Sequence, residues 1–184
     1  MKKLTLLLVT SLLFIGSALA NAHMVNDVNQ QQNPEKQLTP EYTVKHIDNS
    51  LKGTDILPAI IKDYEGKVVL IDFWATWCGP CRAAMKQLDT IKPALQKKGV
   101  VFLYVTGETS PAKTWEAMIK NIKGDHFRLT NAQWNDLCTL LNIPGIPAYM
   151  LLNKDGSVAY SNLSTGGYPG NDILQNNIEV ALTK

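Results

Sequence analysis

The chain has 184 residues, 45% of them hydrophobic and 18% charged, enough for one domain with a tail and incompatible with a wholly disordered or fibrous protein. Its formal net charge is +2, and setting aside Lys2 and Lys3 leaves 16 basic residues against 16 acidic ones. Without net charge there is no general pull on polyanions, so nucleic acid is excluded as a partner class.

In chain order, Met1-Lys2-Lys3 is a short basic start and Leu4 to Ile15 an apolar run that Gly16-Ser17 ends. Ala18-Leu19-Ala20 then supplies a small-x-small cleavage pattern. The run is too short for a comfortable membrane span, which takes roughly 20 apolar residues. Residues 1–20 therefore read as a cleavable signal peptide, with an uncleaved anchor as the alternative, and the expected location is periplasmic or exported. Residues 21–40, rich in Asn and Gln, read as a flexible tail. The domain is expected over 41–184.

Within that domain, Tyr42 to Ile47 alternates like a short strand, and Ile56, Leu57, Ile60, Ile61 and Tyr64 recur at helical spacing. Lys67 to Trp74 is a continuous apolar run, as in a strand covered on both faces, interrupted only by Asp72. The spacing of Met85, Leu88, Ile91 and Leu95 predicts one helix from Cys78 to about Lys98, followed by a strand over Val100–Thr106. Ser110-Pro111 reads as the start of a helix carrying Trp115, Met118, Ile119 and Ile122, and Asn131 as the cap of the next, with Trp134, Leu137, Cys138 and Leu141. Ala148–Asn153, the turn Lys154-Asp155-Gly156 and Ser157–Ser161 form a hairpin, and a last helix begins at Asn171 or Asp172. The order predicts an α/β fold, a mixed central sheet between helical layers.

The chemistry centres on Cys78-Gly79-Pro80-Cys81, which follows an apolar strand by four residues and opens a helix. A cysteine at a helix N-terminus meets unpaired N–H groups and the positive end of the dipole, which stabilise its thiolate. Cys81, three residues on, shares its helix face and can attack a mixed disulfide formed by Cys78. Gly79 lets a substrate chain approach, and Pro80 fits the first turn without losing a hydrogen bond. A structural disulfide rarely spans four residues at such a junction. A zinc site from Cys78, Cys81, Cys138 and His126 lacks a second Cys-x-x-Cys, so no metal is expected. A peroxidatic cysteine calls for Ser or Thr where Ala75 stands. Asp72, inside an apolar run, is costly to bury and so is either paired or functional. Cys138 falls on an apolar stripe and reads as core. His23, His46 and His126 form no cluster and read as surface residues.

Ile71-Asp72-Phe73-Trp74-Ala75-Thr76-Trp77-Cys78-Gly79-Pro80-Cys81 resembles the signature of the thioredoxin superfamily, and Ile143-Pro144-Gly145-Ile146-Pro147-Ala148 resembles its cis-proline loop. With Asn153-Lys154-Asp155-Gly156 and Trp115, the pattern is similar to exported TlpA-like proteins of the Bacteroidetes type, over about residues 42–183. The resemblance implies a thioredoxin-like fold with an N-terminal strand and helix extension. It implies Cys78 as nucleophile, Cys81 as resolving thiol and Asp72 as the buried carboxylate that moves the Cys81 proton. It also implies a cis Pro147 facing the cysteines, an Ile146 backbone that pairs with substrate, and Trp74 and Trp77 beside the site. Trp77, Gly79, Pro80, Ile146 and Pro147 are thus the expected substrate contacts.

The implied activity is thiol-disulfide exchange with protein substrates, on the reductant or isomerase side, by a monomer with no cofactor beyond the Cys78–Cys81 disulfide. A membrane thiol reductase is the implied electron donor. The rivals are a peptide-binding module with little turnover and a disulfide-forming oxidant. Two departures count against dedicated cytochrome c maturation: Ala84 stands where those reductants carry Glu, and Lys86 where they carry Pro. The superfamily's lysine partner of the buried Asp has no counterpart in Val100–Thr106, which is expected to push the Asp72 pKa further up.

Overall fold

The computed structural model describes residues 41–184; the expected signal peptide and tail lie outside the described residues. Six strands form one sheet in the order β1-β4-β3-β2-β5-β6. They are β1 (Tyr42–Lys45), β2 (Val69–Phe73), β3 (Val101–Gly107), β4 (Gly124–Leu129), β5 (Ala148–Leu152) and β6 (Val158–Ser161). The pairs β1–β4, β4–β3 and β3–β2 are parallel, while β5 runs antiparallel to both β2 and β6. This is the mixed sheet expected, with one more strand than the sequence suggested. Gly124-Asp125-His126-Phe127-Arg128-Leu129 is too polar to read as a buried strand. Its apolar Phe127 and Leu129 face one layer while His126 turns into the other.

Alternation along the central strands sorts side chains into two layers. Val69, Ile71, Phe73, Leu103, Val105, Phe127, Leu129, Ala148, Met150 and Leu152 point to one side, where α1 (Ile56–Ile61) and α5 (Asn131–Leu140) cover them. Leu70, Trp74, Phe102, Tyr104, Tyr149 and Leu151 point to the other, under α2 (Gly79–Leu88), α3 (Lys92–Lys97), α4 (Ala112–Ile119) and α6 (Asn171–Thr183).

Three boundaries differ from the expected ones. The single helix over 78–98 is two, broken at Asp89–Ile91. Pro93 has no N–H to give the Asp89 carbonyl, so the helical ladder is interrupted ahead of it, and its ring fits the first turn of a new helix. Ser110 does not cap α4, because its hydroxyl is engaged elsewhere; Pro111 occupies the cap position without a side-chain bond. The cap of α5 is Thr130, not Asn131: Thr130 and Gln133 exchange side-chain and backbone bonds in a capping box.

Candidate active site

Cys78 caps α2 and is bonded to Cys81 in a disulfide, their Cα atoms 5.3 Å apart. The Cys81 amide donates to the Cys78 sulfur at 3.2 Å, so a first-turn N–H of the helix points at that atom. Cys78 is 4% exposed and Cys81 wholly buried, whereas Gly79 and Pro80 are exposed and Trp77, at 62%, stands out into solvent. Attack from outside can therefore reach Cys78 only.

Two loops frame the pair. The Ile146–Pro147 bond is cis, and the Ile146 carbonyl oxygen lies 3.7 Å from the Cys78 sulfur. The Pro147 oxygen accepts from the Gly167 amide at 2.7 Å, and Asn162 binds the Tyr149 amide as well as the Gly166 and Gly167 carbonyls. Gly166 has φ +64°, in the left-handed region that a side chain disfavours, which explains the glycine there. On the other flank the buried Ser110 hydroxyl accepts from the Thr76 amide at 3.0 Å and pairs with the Thr106 hydroxyl at 2.8 Å. Arg128 donates to the Ser110 carbonyl at 2.8 Å. The segment that leads into Cys78 is thus fastened to the end of β3.

Beneath the pair runs a row of polar side chains set by strand register. His126, Tyr104, Asp72 and Tyr149 are consecutive cross-strand neighbours on β4, β3, β2 and β5, so all four lie on the layer that Cys81 enters. Asp72 is 1% exposed, and neither carboxylate oxygen has a hydrogen-bond partner among the described residues. Burial pushes its pKa up to about 8, opposed by the positive charge of Lys92 and the approach of the Tyr149 hydroxyl. His126 stacks on Tyr104 with ring centroids 5.0 Å apart, and its Nε2 donates to the Ile122 carbonyl at 2.8 Å. Burial lowers its pKa to about 4.

Residues 66–158 match the thioredoxin-like family model, half of the sequence. The chain belongs to the thioredoxin-like family. The thiol-disulfide oxidoreductase ResA of Geobacillus thermodenitrificans is 31% identical over 116 residues, covering 62% of this chain and 64% of that protein. The match thus spans less than two thirds of that relative. Among solved structures, a thiol:disulfide interchange protein from a Bacteroides species is 25% identical with a TM-score of 0.57, over 67% of this chain and 78% of that one. The Chlorobium tepidum protein described as thiol:disulfide interchange protein DsbE is 27% identical with a TM-score of 0.51, over 66% and 84%.

This thioredoxin-like chain departs from the sequence reading in three places at the site. Val100–Thr106 holds no lysine, as expected, but the same layer buries one from elsewhere: Lys92 of α3, 1% exposed, which donates to the Tyr104 hydroxyl. The signal was available, since Lys92 sits four residues after Leu88 and three before Leu95, at a core position of the stripe. His126 is wholly buried, not a surface residue, because it faces inward from the unforeseen β4. Cys138 lies on its expected stripe but is half-buried; burial still pushes its thiol up to about 11. Tyr104 and Tyr149 carry no local signal as site residues, and Ser110 reads in the sequence only as a helix start. Their roles depend on register and on a loop-to-loop contact, neither of which leaves a local pattern.

Proposed function

We propose that this chain is a periplasmic thiol-disulfide oxidoreductase that reduces or isomerises disulfides of exported proteins through Cys78 and Cys81. The observation that carries the reading is the disulfide at the α2 N-terminus, with one sulfur reachable from solvent beside the Ile146 backbone and the other buried in the layer on the sheet face that carries Asp72. The names of the relatives support it.

In the reduced enzyme the Cys78 thiolate, favoured by the helix N-terminus, attacks a substrate disulfide and releases one substrate thiolate. The substrate remains bonded to Cys78, its chain laid along Trp77, Gly79, Pro80 and the Ile146–Pro147 backbone. Cys81 gives its proton to the Asp72 carboxylate and attacks the Cys78 sulfur. The second substrate thiolate leaves, the Cys78–Cys81 disulfide forms, and two electrons have passed to the substrate. In reverse, a donor thiolate attacks Cys78 and Cys81 departs as a thiolate that needs a proton. With a pKa of about 8, Asp72 is mostly protonated at neutral pH in the oxidised form, the state this step requires. A membrane thiol reductase is the donor in this reading, the domain acts as a monomer, and no cofactor beyond the disulfide takes part.

Insulin reduction by a dithiol donor tests the activity. Cys78→Ser should abolish it, and full activity in that variant would sink the proposal. Cys81→Ser should accumulate mixed disulfides with substrate. Equilibration with glutathione should give a reduction potential nearer to thioredoxin's, about −270 mV, than to DsbA's, about −120 mV. A value near the latter would make the protein an oxidant.

A further inference from the structure

Lys92 is a lysine wholly inside a protein that has apolar residues to spare. Its ammonium lies 4.9 Å from the Tyr104 ring centroid and 5.5 Å from that of Phe102, on the sheet layer that also carries Asp72. It donates to the Tyr104 hydroxyl at 2.7 Å and approaches the half-exposed Asp89 carboxylate at 3.5 Å. Tyr104 is the direct cross-strand neighbour of Asp72. A methionine would fill the same space without taking a charge out of water, so packing alone is a poor reason for a lysine here. Asp72, for its part, has no hydrogen-bond partner for either oxygen among the described residues.

We propose that Lys92 is a positioning residue for the redox pair: anchored on the Tyr104 hydroxyl, its buried ammonium is the counter-charge that keeps the Asp72 carboxylate available to Cys81. This inference rests on the oxidoreductase reading for its consequence, though not for its test. The strand β3 supplies a tyrosine beside the aspartate, and the charge arrives from α3, which starts just after the break at Asp89–Ile91. The other groups facing this cluster are Asp89 from the α2–α3 turn, Lys123 before β4, His126 of β4, Tyr149 of β5 and Tyr168 before α6. Asp89 holds the ammonium charged from the solvent side, while Lys123 opposes it. His126, neutral above about pH 4, and the tyrosines, raised above their ordinary value by burial, add no charge near neutrality. Lys92 is then the cation within the buried layer that can answer Asp72.

The test is a carbon-13 titration of the aspartate carboxyls in the full oxidised protein, with the Asp72 resonance assigned by its loss in Asp72→Asn. Lys92→Met should raise the Asp72 midpoint by roughly one pH unit, leaving about tenfold less carboxylate at pH 7. Tyr104→Phe, which removes the anchor and keeps the charge, should raise it by less. Lys97→Met, on the exposed side of the same helix, should leave it in place. The alkaline bend in the rate of mixed-disulfide resolution should follow the same order. In an Asp72→Asn background, Lys92→Met should change that pH profile no further. An unmoved Asp72 midpoint in folded Lys92→Met, or an unmoved one in Tyr104→Phe should the first variant not fold, overturns the proposal. A protein that exchanges no disulfides would overturn the oxidoreductase reading, and the carboxyl titration would still decide this one.

Discussion

The two layers of the sheet are built to different rules. Beneath α1 and α5 the central strands present apolar side chains, from Val69 and Ile71 to Met150 and Leu152, with a single carboxylate, the part-buried Asp125 of β4, bound by the Tyr64 hydroxyl. Beneath α2, α3, α4 and α6 the same strands bury Asp72, Tyr104, Tyr149 and His126, with Lys92 pressed onto them from above. One layer holds the fold by close packing. The other accepts buried charge and unpaired polar atoms on the face that Cys81 enters, where the proposed mechanism needs a proton partner. In that mechanism acid-base chemistry is bought with stability on the face that uses it.

The sharpest way to break this contrast is to damage the apolar layer and look for a redox effect. Leu103→Ala, on the apolar face of β3, should cost about 2–5 kcal/mol in denaturant unfolding while the reduction potential of the pair stays put. A potential that moves with it would mean the layers are not separable.

The polar layer should show the opposite sign. The folded pKa of Asp72, about 8, lies above the ordinary 3.8, so the folded state holds that proton more tightly than the unfolded chain does. Its stabilising contribution is complete below about pH 4 and is lost as pH rises through about 8. Asp72→Asn removes that loss. Its stability advantage over the parent should widen by up to about 2 kcal/mol between pH 6 and 7.5, while mixed-disulfide resolution slows. Exchange kinetics that match the parent across pH 6–9 would reduce Asp72 to a structural residue.

His126 works in the other direction. Its folded pKa, about 4, lies below the ordinary 6.5, so its contribution is complete above 6.5 and is lost as pH falls through about 4. Stability should drop by up to about 1 kcal/mol between pH 6 and 5, and His126→Phe should flatten that limb if the ring tolerates the loss of its Ile122 bond. A limb of unchanged slope would assign the acid sensitivity elsewhere.

Ser110→Ala should have the smallest effect. It leaves the buried Thr76 amide without its partner, at about 1 kcal/mol, and loosens the approach to Cys78. Alkylation of the reduced protein at neutral pH should then still strike Cys78 before Cys138, whose thiol is pushed up to about 11, but with less discrimination.

The sequence by itself determined the helix that opens at the cysteine pair, the buried β2 in front of it, the hairpin at the end and the aspartate inside an apolar run. Each rests on local chemistry: periodicity, a cap, a turn signal, a charge out of place. The cis-proline loop and the roles of its residues came from a family resemblance, since nothing in the local pattern of Ile146-Pro147 dictates an isomer. Only the tertiary structure decided what surrounds Asp72. Strand register placed Tyr104 and Tyr149 on either side of it, the break at Asp89–Ile91 set off a separate α3 that brings Lys92 onto the sheet, and β4 turned His126 inward. Those contacts join residues far apart in the chain, and the desolvation and charge they impose exist only once the strands have paired.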